Sequence, residues 1–175
     1  HSTDSTATVV ENYLLNNTDL NAVLLKNERT FGLGHNYVEG AIIGKGKYYK
    51  MIHSGNIERK DSIVKYINNI GEADIITFYL NNDDRSLFRR FLAGFYTLII
   101  NILSGYSLKY YNGSPVILRT DVLRYHPNNP GNGFVAEFMV ILLNRGRSFK
   151  AVETTLIRTN SISHAISWRN ALSVL

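Results

Sequence analysis

At 175 residues, with 45% apolar and 19% charged residues, the chain has the composition of a soluble globular protein and not of a disordered one. That length suffices for one domain with a substantial core, and the absence of cysteine excludes disulfides and thiolate metal sites. Residues 1–108 hold 11 Lys/Arg against 11 Asp/Glu, whereas residues 109–175 hold 8 against 3, so the net charge of +5 belongs to the last third. Such a basic region reads either as a solvated surface or as a site for an anionic partner: a diphosphate, a lipid phosphate, a membrane headgroup or nucleic acid. The nucleic-acid reading lacks support, because the aromatic residues sit in apolar runs and are not interleaved with basic ones.

In chain order, residues 2–16 read as a helix entered through Ser2, Thr3 and Asp4, with Ala7, Val10, Tyr13 and Leu14 on one face. Residues 21–26 (NAVLLK) read as a short strand. A loop at 27–34 leads into a helix carrying Tyr37, Val38, Ala41 and Ile42 on one side, stopped by Gly44 and Gly46. A strand at 47–52 and a polar loop follow, and then a helix from about Lys60 that turns Ile63, Val64, Ile67 and Ile70 inward. Residues 73–80 (ADIITFYL) form a continuous apolar strand, the pattern of a strand covered on both faces.

A long amphipathic helix at 85–104 begins with Arg85, Arg89 and Arg90. Its apolar run, 91–103, is shorter than the roughly 20 residues needed to span a bilayer. The basic head and apolar stripe suit either a membrane surface or core packing. An aromatic, turn-rich stretch at 105–113 precedes a strand at 114–119, a loop at 126–133, a helix at 134–144, a strand at 147–155 and a helix at 164–175. Strands alternating with helices indicate βαβ units: an α/β fold with a mixed, mainly parallel sheet and helices on both faces. The alternation opens on a helix, so the sequence reads as one domain, 1–175, entered partway through its fold and without its first strand.

Ligands of α/β proteins bind where strand carboxyl ends give way to loops. His53, Ser54, Gly55, Asn56 and Glu58 occupy such a place after the strand at 47–52. Of these, His53, Asn56 and Glu58 supply a nitrogen, an amide oxygen and a carboxylate, a set that suits Mn²⁺ better than Mg²⁺. The other histidines, His35, His126 and His164, lack the close pairing of a metal site. Gly32 and Gly34 form half of a dinucleotide fingerprint, or simply a tight turn before a helix. Asp74 reads as structural. Glu137 lies in an apolar helix and needs a partner, for which Arg158 is a candidate.

Five segments carry a resemblance to the family 2 glycosyltransferases, and within them to the branch that uses dolichyl or polyprenyl phosphate. They are HSTDST at 1–6, the segment from Asn27 to Tyr49, MIHSGN at 51–56, GFVAEF at 133–138 and RTNSIS at 158–163. The resemblance implies a GT-A-type, Rossmann-like fold and inverting transfer of a sugar from a UDP- or GDP-sugar to a polyprenyl phosphate or cell-surface glycan acceptor. By the same resemblance, Asp4, Asn27, Gly34, His53, Ser54 and Gly55 face the nucleotide, and Arg158, Ser163 and Glu137 serve catalysis. It also implies Mn²⁺ or Mg²⁺, a cytoplasmic location at the membrane face, and peripheral membrane contact. The sequence departs from the family where His53 and Gly55 stand in place of the metal-binding D-x-D aspartates. That departure favours a second reading: a non-catalytic relative that binds nucleotide, lipid phosphate or a partner.

Overall fold

The computed structural model describes residues 3–53, 58–81, 85–128, 131 and 133–155. Its elements run α1 (Thr6–Asn16), α2 (Leu33–Ile43), β1 (Tyr48–Tyr49), α3 (Lys60–Asn68), β2 (Ile75–Leu80), α4 (Leu87–Ser104), β3 (Val116–Leu118), α5 (Arg119–Val122), α6 (Phe134–Asn144) and β4 (Phe149–Thr154). The chain divides into two compact units, His1–Gly32 and Leu33–Leu175.

In the first unit, the Thr6 backbone N–H donates to Asp4 Oδ1 at 3.0 Å at the start of α1. The side-chain amides of Asn16 and Asn17 donate to the Asn12 and Tyr13 carbonyls and close the helix. Ala7, Val10 and Leu14 are half-buried, but Tyr13 faces out. The strand expected at 21–26 does not form: the stretch has no ladder hydrogen bonds, and Val23 and Leu25 are exposed. An apolar run becomes a strand only where a neighbour takes its N–H and C=O groups, and composition does not supply that neighbour.

The second unit is built on a four-stranded mixed sheet in the order β1-β3-β2-β4. β2 and β4 pair in parallel over six residues, from Ile75 opposite Phe149 to Leu80 opposite Thr154. β3 is antiparallel to both β2 and β1. The expected mixed α/β sheet is present, with its parallel pairing confined to β2 and β4 among the described strands. β1 is a two-residue edge strand in place of the six residues expected at 47–52.

Side chains alternate across this sheet as the pleat dictates. Ile75 and Ile117 enter a cluster with Tyr37 and Ala41 of α2 and Phe134, Phe138, Met139 and Leu142 of α6. Ile76, Phe78, Val116 and Val152 enter a second cluster with Tyr66 of α3. Helices therefore cover both faces, as the unbroken apolar pattern of 73–80 requires. Each fully buried large side chain contributes about 1.5–3 kcal/mol. α3 presents Ser62 and Tyr66 inward and leaves Val64 and Ile67 exposed. Its packing face is set by the Tyr66 ring against Phe78, centroids 5.9 Å apart, and not by the count of aliphatic residues. Ile42 of α2 likewise faces out.

Two polar devices lock the irregular parts. Asn101 donates from Nδ2 to the Leu108 carbonyl at 2.9 Å, while its Oδ1 accepts from the Leu108 N–H at 3.1 Å and the Tyr111 hydroxyl at 2.9 Å. These bonds bury Leu108 and Tyr111 although the stretch 105–113 has no helix or strand. At the amino ends of β2 and β4, Asp74 Oδ2 accepts from the Ser148 N–H at 2.9 Å and its hydroxyl at 2.8 Å. Arg147 joins Asp74 at 3.6 Å to the buried Asp121 at 2.8 Å. The Ser148 bonds, with help from Arg147, hold the Asp74 carboxyl below its ordinary value of 3.8.

A Cβ added to Gly113 would lie 2.4 Å from Cε1 of the buried Phe78 ring. Gly113→Ala is therefore expected to destabilise the protein by about 1–3 kcal/mol, read from a denaturant titration; an unchanged midpoint would contradict the close approach. Asp74→Asn should cost about 1 kcal/mol at neutral pH, discounted for a side chain one-third exposed. Because the folded pKa is depressed, the Asp74 contribution is fully present above 3.8 and fades as pH falls through the folded value. The gap between wild-type and variant melting temperatures should close in that acidic range.

Candidate functional site

β1 runs in the same direction as β2, so the loops after both strands leave at one edge of the sheet. Two groups of polar side chains gather there. The first centres on Lys50 and Glu58, an ion pair with N–O distance 3.0 Å and side chains only 11% and 4% exposed. Lys50 Nζ also donates to the Ser114 carbonyl at 2.9 Å and lies 4.6 Å from the centre of the Tyr66 ring. Burial pulls the ammonium below the ordinary lysine pKa, and Glu58 opposes that pull. Burial and the neighbouring Glu58 carboxylate push the Tyr66 phenol up to about 12, so it is protonated at neutral pH.

The second group lines a cavity of about 340 Å³ beyond the end of β2. Tyr79 and Asn81 come from the strand and its exit, Arg85, Arg90 and Thr97 from α4 and its approach, and Lys109 and Tyr110 from the turns after α4. Lys109 Nζ stands 3.9 Å from the centre of the Tyr79 ring. Arg85 Nη1 donates to the Tyr110 hydroxyl at 3.3 Å. Thr97 is 8% exposed, and its buried hydroxyl oxygen has no hydrogen-bond partner among the described residues. Asn81 Nδ2 donates to Glu153 Oε1 at 2.9 Å, which fixes the exit of β2 against β4. Three cations and an unsatisfied hydroxyl in one concave site suit a phosphate or diphosphate, whose oxygens accept from each of them.

A row of rings joins the two groups. Lys50 lies over Tyr66, Tyr66 is 5.9 Å from Phe78, Phe78 is 5.6 Å from Tyr110, and Arg85 lies over Tyr110. The cations at the two ends are thus held by one packed aromatic layer, with Phe78 at its centre.

The sequence-predicted residues distribute as follows. Asp4 is exposed, and the hydrogen bonds from Thr6 lower its pKa; Asn27 lies in the same first unit. Gly34 is buried in the first turn of α2 and His53 is exposed at the exit of β1. Glu137 finds its partner in Asn128, whose Nδ2 donates to Oε1 at 2.8 Å. Ser54, Gly55, Asn56, Arg158 and Ser163 lie outside the described residues. Of the anticipated metal set, the Glu58 carboxylate is turned inward onto Lys50. Among the described residues, no three His, Asp or Glu side chains gather as a metal site.

Lys109, Thr97, Tyr79 and Tyr110 were not anticipated as site residues. A signal for them existed. Ligands of α/β proteins bind at strand carboxyl ends, and the mostly apolar strand at 73–80 is followed by the polar Asn81.

The sequence matches no family model and no curated protein. Two solved structures share its fold. Glucosyl-3-phosphoglycerate synthase from Mycobacterium tuberculosis in complex with uridine-diphosphate superposes with a TM-score of 0.64 at 16% identity, over 99% of this chain and 65% of that one. A second structure of the M. tuberculosis synthase gives 0.58 at 16% identity, over 93% and 60%. The chain thus spans less than two thirds of their length. The likeness establishes a GT-A-like glycosyltransferase fold and does not extend to the polyprenyl-phosphate branch.

The Lys50–Glu58 pair yields a direct test. Lys50→Met strands a buried carboxylate and should cost about 3–5 kcal/mol, whereas adding Glu58→Leu should recover most of the loss. A single variant within about 1 kcal/mol of wild type by chemical denaturation would show that Glu58 is not buried on Lys50.

Proposed function

We propose that the protein is a glycosyltransferase that moves a sugar from a nucleotide-sugar, UDP- or GDP-linked, to a phosphate-bearing acceptor. The observation that carries this reading is the cavity with Arg85, Arg90 and Lys109 at the carboxyl end of β2, in a sheet of GT-A type. The synthase with the similar fold is named for a phosphorylated acceptor and was solved with UDP. The sequence resemblance adds a polyprenyl phosphate, or a cell-surface glycan, as the acceptor. Polyprenyl phosphate and 3-phosphoglycerate share an anionic phosphate that cations can hold, but the nucleophile is a phosphate oxygen in the first and a hydroxyl oxygen in the second.

A polyprenyl phosphate is already ionised near neutral pH, so transfer to its phosphate oxygen needs no strong general base. The acceptor oxygen attacks the anomeric carbon of the sugar, a new carbon–oxygen bond forms, and the bond to the diphosphate breaks with its electron pair leaving on the diphosphate. The displacement inverts the anomeric centre. The protein's task is alignment and neutralisation of the growing negative charge. Arg85, Arg90 and Lys109 are the groups suited to that neutralisation, and Arg158 is proposed to reach the same phosphates with Ser163. His53, Ser54 and Gly55 are assigned to nucleotide contact, with Asp4, Asn27 and Gly34. A lipid-linked acceptor would put the reaction at the cytoplasmic face of a membrane. The inward-turned Glu58 favours one alternative, a relative that binds nucleotide or lipid phosphate without turnover.

Calorimetry of the full-length protein with UDP and with GDP, in Mn²⁺ or Mg²⁺ and then in EDTA, tests the donor site. Binding of one nucleotide is expected, with Lys109→Ala and Arg90→Ala each weakening it about tenfold or more. Loss of binding in EDTA would bring a divalent cation into the site. Turnover is then assayed with that nucleotide's sugar and either polyprenyl phosphate or 3-phosphoglycerate. Binding without turnover selects the non-catalytic reading, and no binding of either nucleotide overturns the proposal.

A further inference from the structure

Helix α4 turns one side to the cavity. At 100° per residue, Arg90, Ala93, Gly94 and Thr97 fall within an arc of about 100°, and all four line the cavity beyond the end of β2. Phe91, Phe95 and Leu98, on the opposite side, are exposed. Two of the cavity residues are poor choices for the helix itself. Gly94 stands near the middle of an 18-residue helix, where glycine is less stable than alanine. Nothing in the fold calls for it, because a Cβ added there would meet nothing beyond the helix's own backbone within 4 Å. Thr97 is the second. A threonine within a helix can return its hydroxyl to the carbonyl three or four residues back, yet the buried Thr97 Oγ1 has no hydrogen-bond partner among the described residues. A valine would fill the same space without an unpaired polar atom.

We infer that Gly94 and Thr97 form the contact floor of the cavity, where a phosphate group of the ligand approaches the bare helix at Gly94 and accepts a hydrogen bond from the Thr97 hydroxyl. The two residues are three apart, about 4.5 Å along the helix axis, so one ligand group can touch both. Local rules of stability give way at functional sites, and here two give way within one turn, facing one cavity. The charge specifies the ligand class. Arg85, Arg90 and Lys109 line the same cavity, and none of its described lining residues is Asp or Glu, so an anion with several acceptor oxygens fits and a cation does not. Resting on the reading of this cavity as a phosphate site, the floor deepens it by naming the residues that the phosphate touches.

The test is calorimetry of the full-length protein with inorganic pyrophosphate, beside the melting temperatures of four variants. Wild type is expected to bind. Thr97→Val should weaken binding about tenfold or more and melt no earlier than wild type, whereas Thr97→Ser, which keeps the hydroxyl, should retain binding. Gly94→Ala should melt about 2–4 °C higher. Gly94→Leu, whose side chain reaches further into the cavity, should weaken binding about tenfold or more without melting earlier. Absence of pyrophosphate binding, or binding that Thr97→Val or Gly94→Leu leaves unaltered, would overturn the inference. So would a Thr97→Val protein that melts earlier, the sign that the hydroxyl has a structural partner. Pyrophosphate held through Thr97 with neither UDP nor GDP bound would keep the floor and remove the transferase reading. A nucleotide bound equally well by wild type, Thr97→Val and Gly94→Leu would do the reverse.

Discussion

Strand β2 cannot slip. Ile75 is committed to the cluster under α2 and α6, Ile76 and Phe78 to the cluster under α3, and a shift of one residue would exchange the two sets. Six register pairs with β4 and the Asp74–Ser148 bonds at the amino ends hold that setting. Its consequence is felt at the other end of the strand. Phe78 is fixed against Tyr66 and Tyr110, and Gly113 closes on its ring with no room for a side chain. The groups of the candidate site, Tyr79, Asn81 and the cations around them, inherit their positions from this one buried strand.

Charge at that edge is divided by burial. Lys50 and Glu58 face each other with almost no access to water, and neither is available to a ligand without breaking the other's compensation. Arg85, Arg90 and Lys109 line an open cavity. The first pair is part of the scaffold, and the second set has the character of a binding surface. The aromatic layer of Tyr66, Phe78 and Tyr110 runs between them. α4 has the same division in one element, since its inner side builds the cavity wall and its outer side is left to the surroundings.

Local pattern located several elements well. The helix at 134–144 was legible because apolar residues recur there at helical spacing after a glycine, and the structure has it from Phe134 to Asn144. The strand at 73–80 was legible as doubly covered because nothing polar but Asp74 and Thr77 interrupts it. The failures share one cause. Residues 21–26 have strand composition without a paired ladder, α3 packs through Tyr66 and not through its aliphatic residues, and β1 pairs over two residues in place of the six expected at 47–52. Each depended on a neighbour that periodicity does not name.

The same cause separates what the chain alone determined about function from what it left open. Alternating strands and helices, a basic last third and an arginine-headed apolar helix are properties of adjacent residues, so composition and spacing determined them. The tertiary structure decided that Glu58 belongs to Lys50, and that Lys50 reaches a carbonyl 64 residues away at Ser114. It also decided that Thr97, Lys109 and Tyr110 meet Tyr79, and that α4 turns its apolar side outward. These follow from which buried faces close on one another, an outcome set by the packing of the whole domain and by no local stretch of sequence.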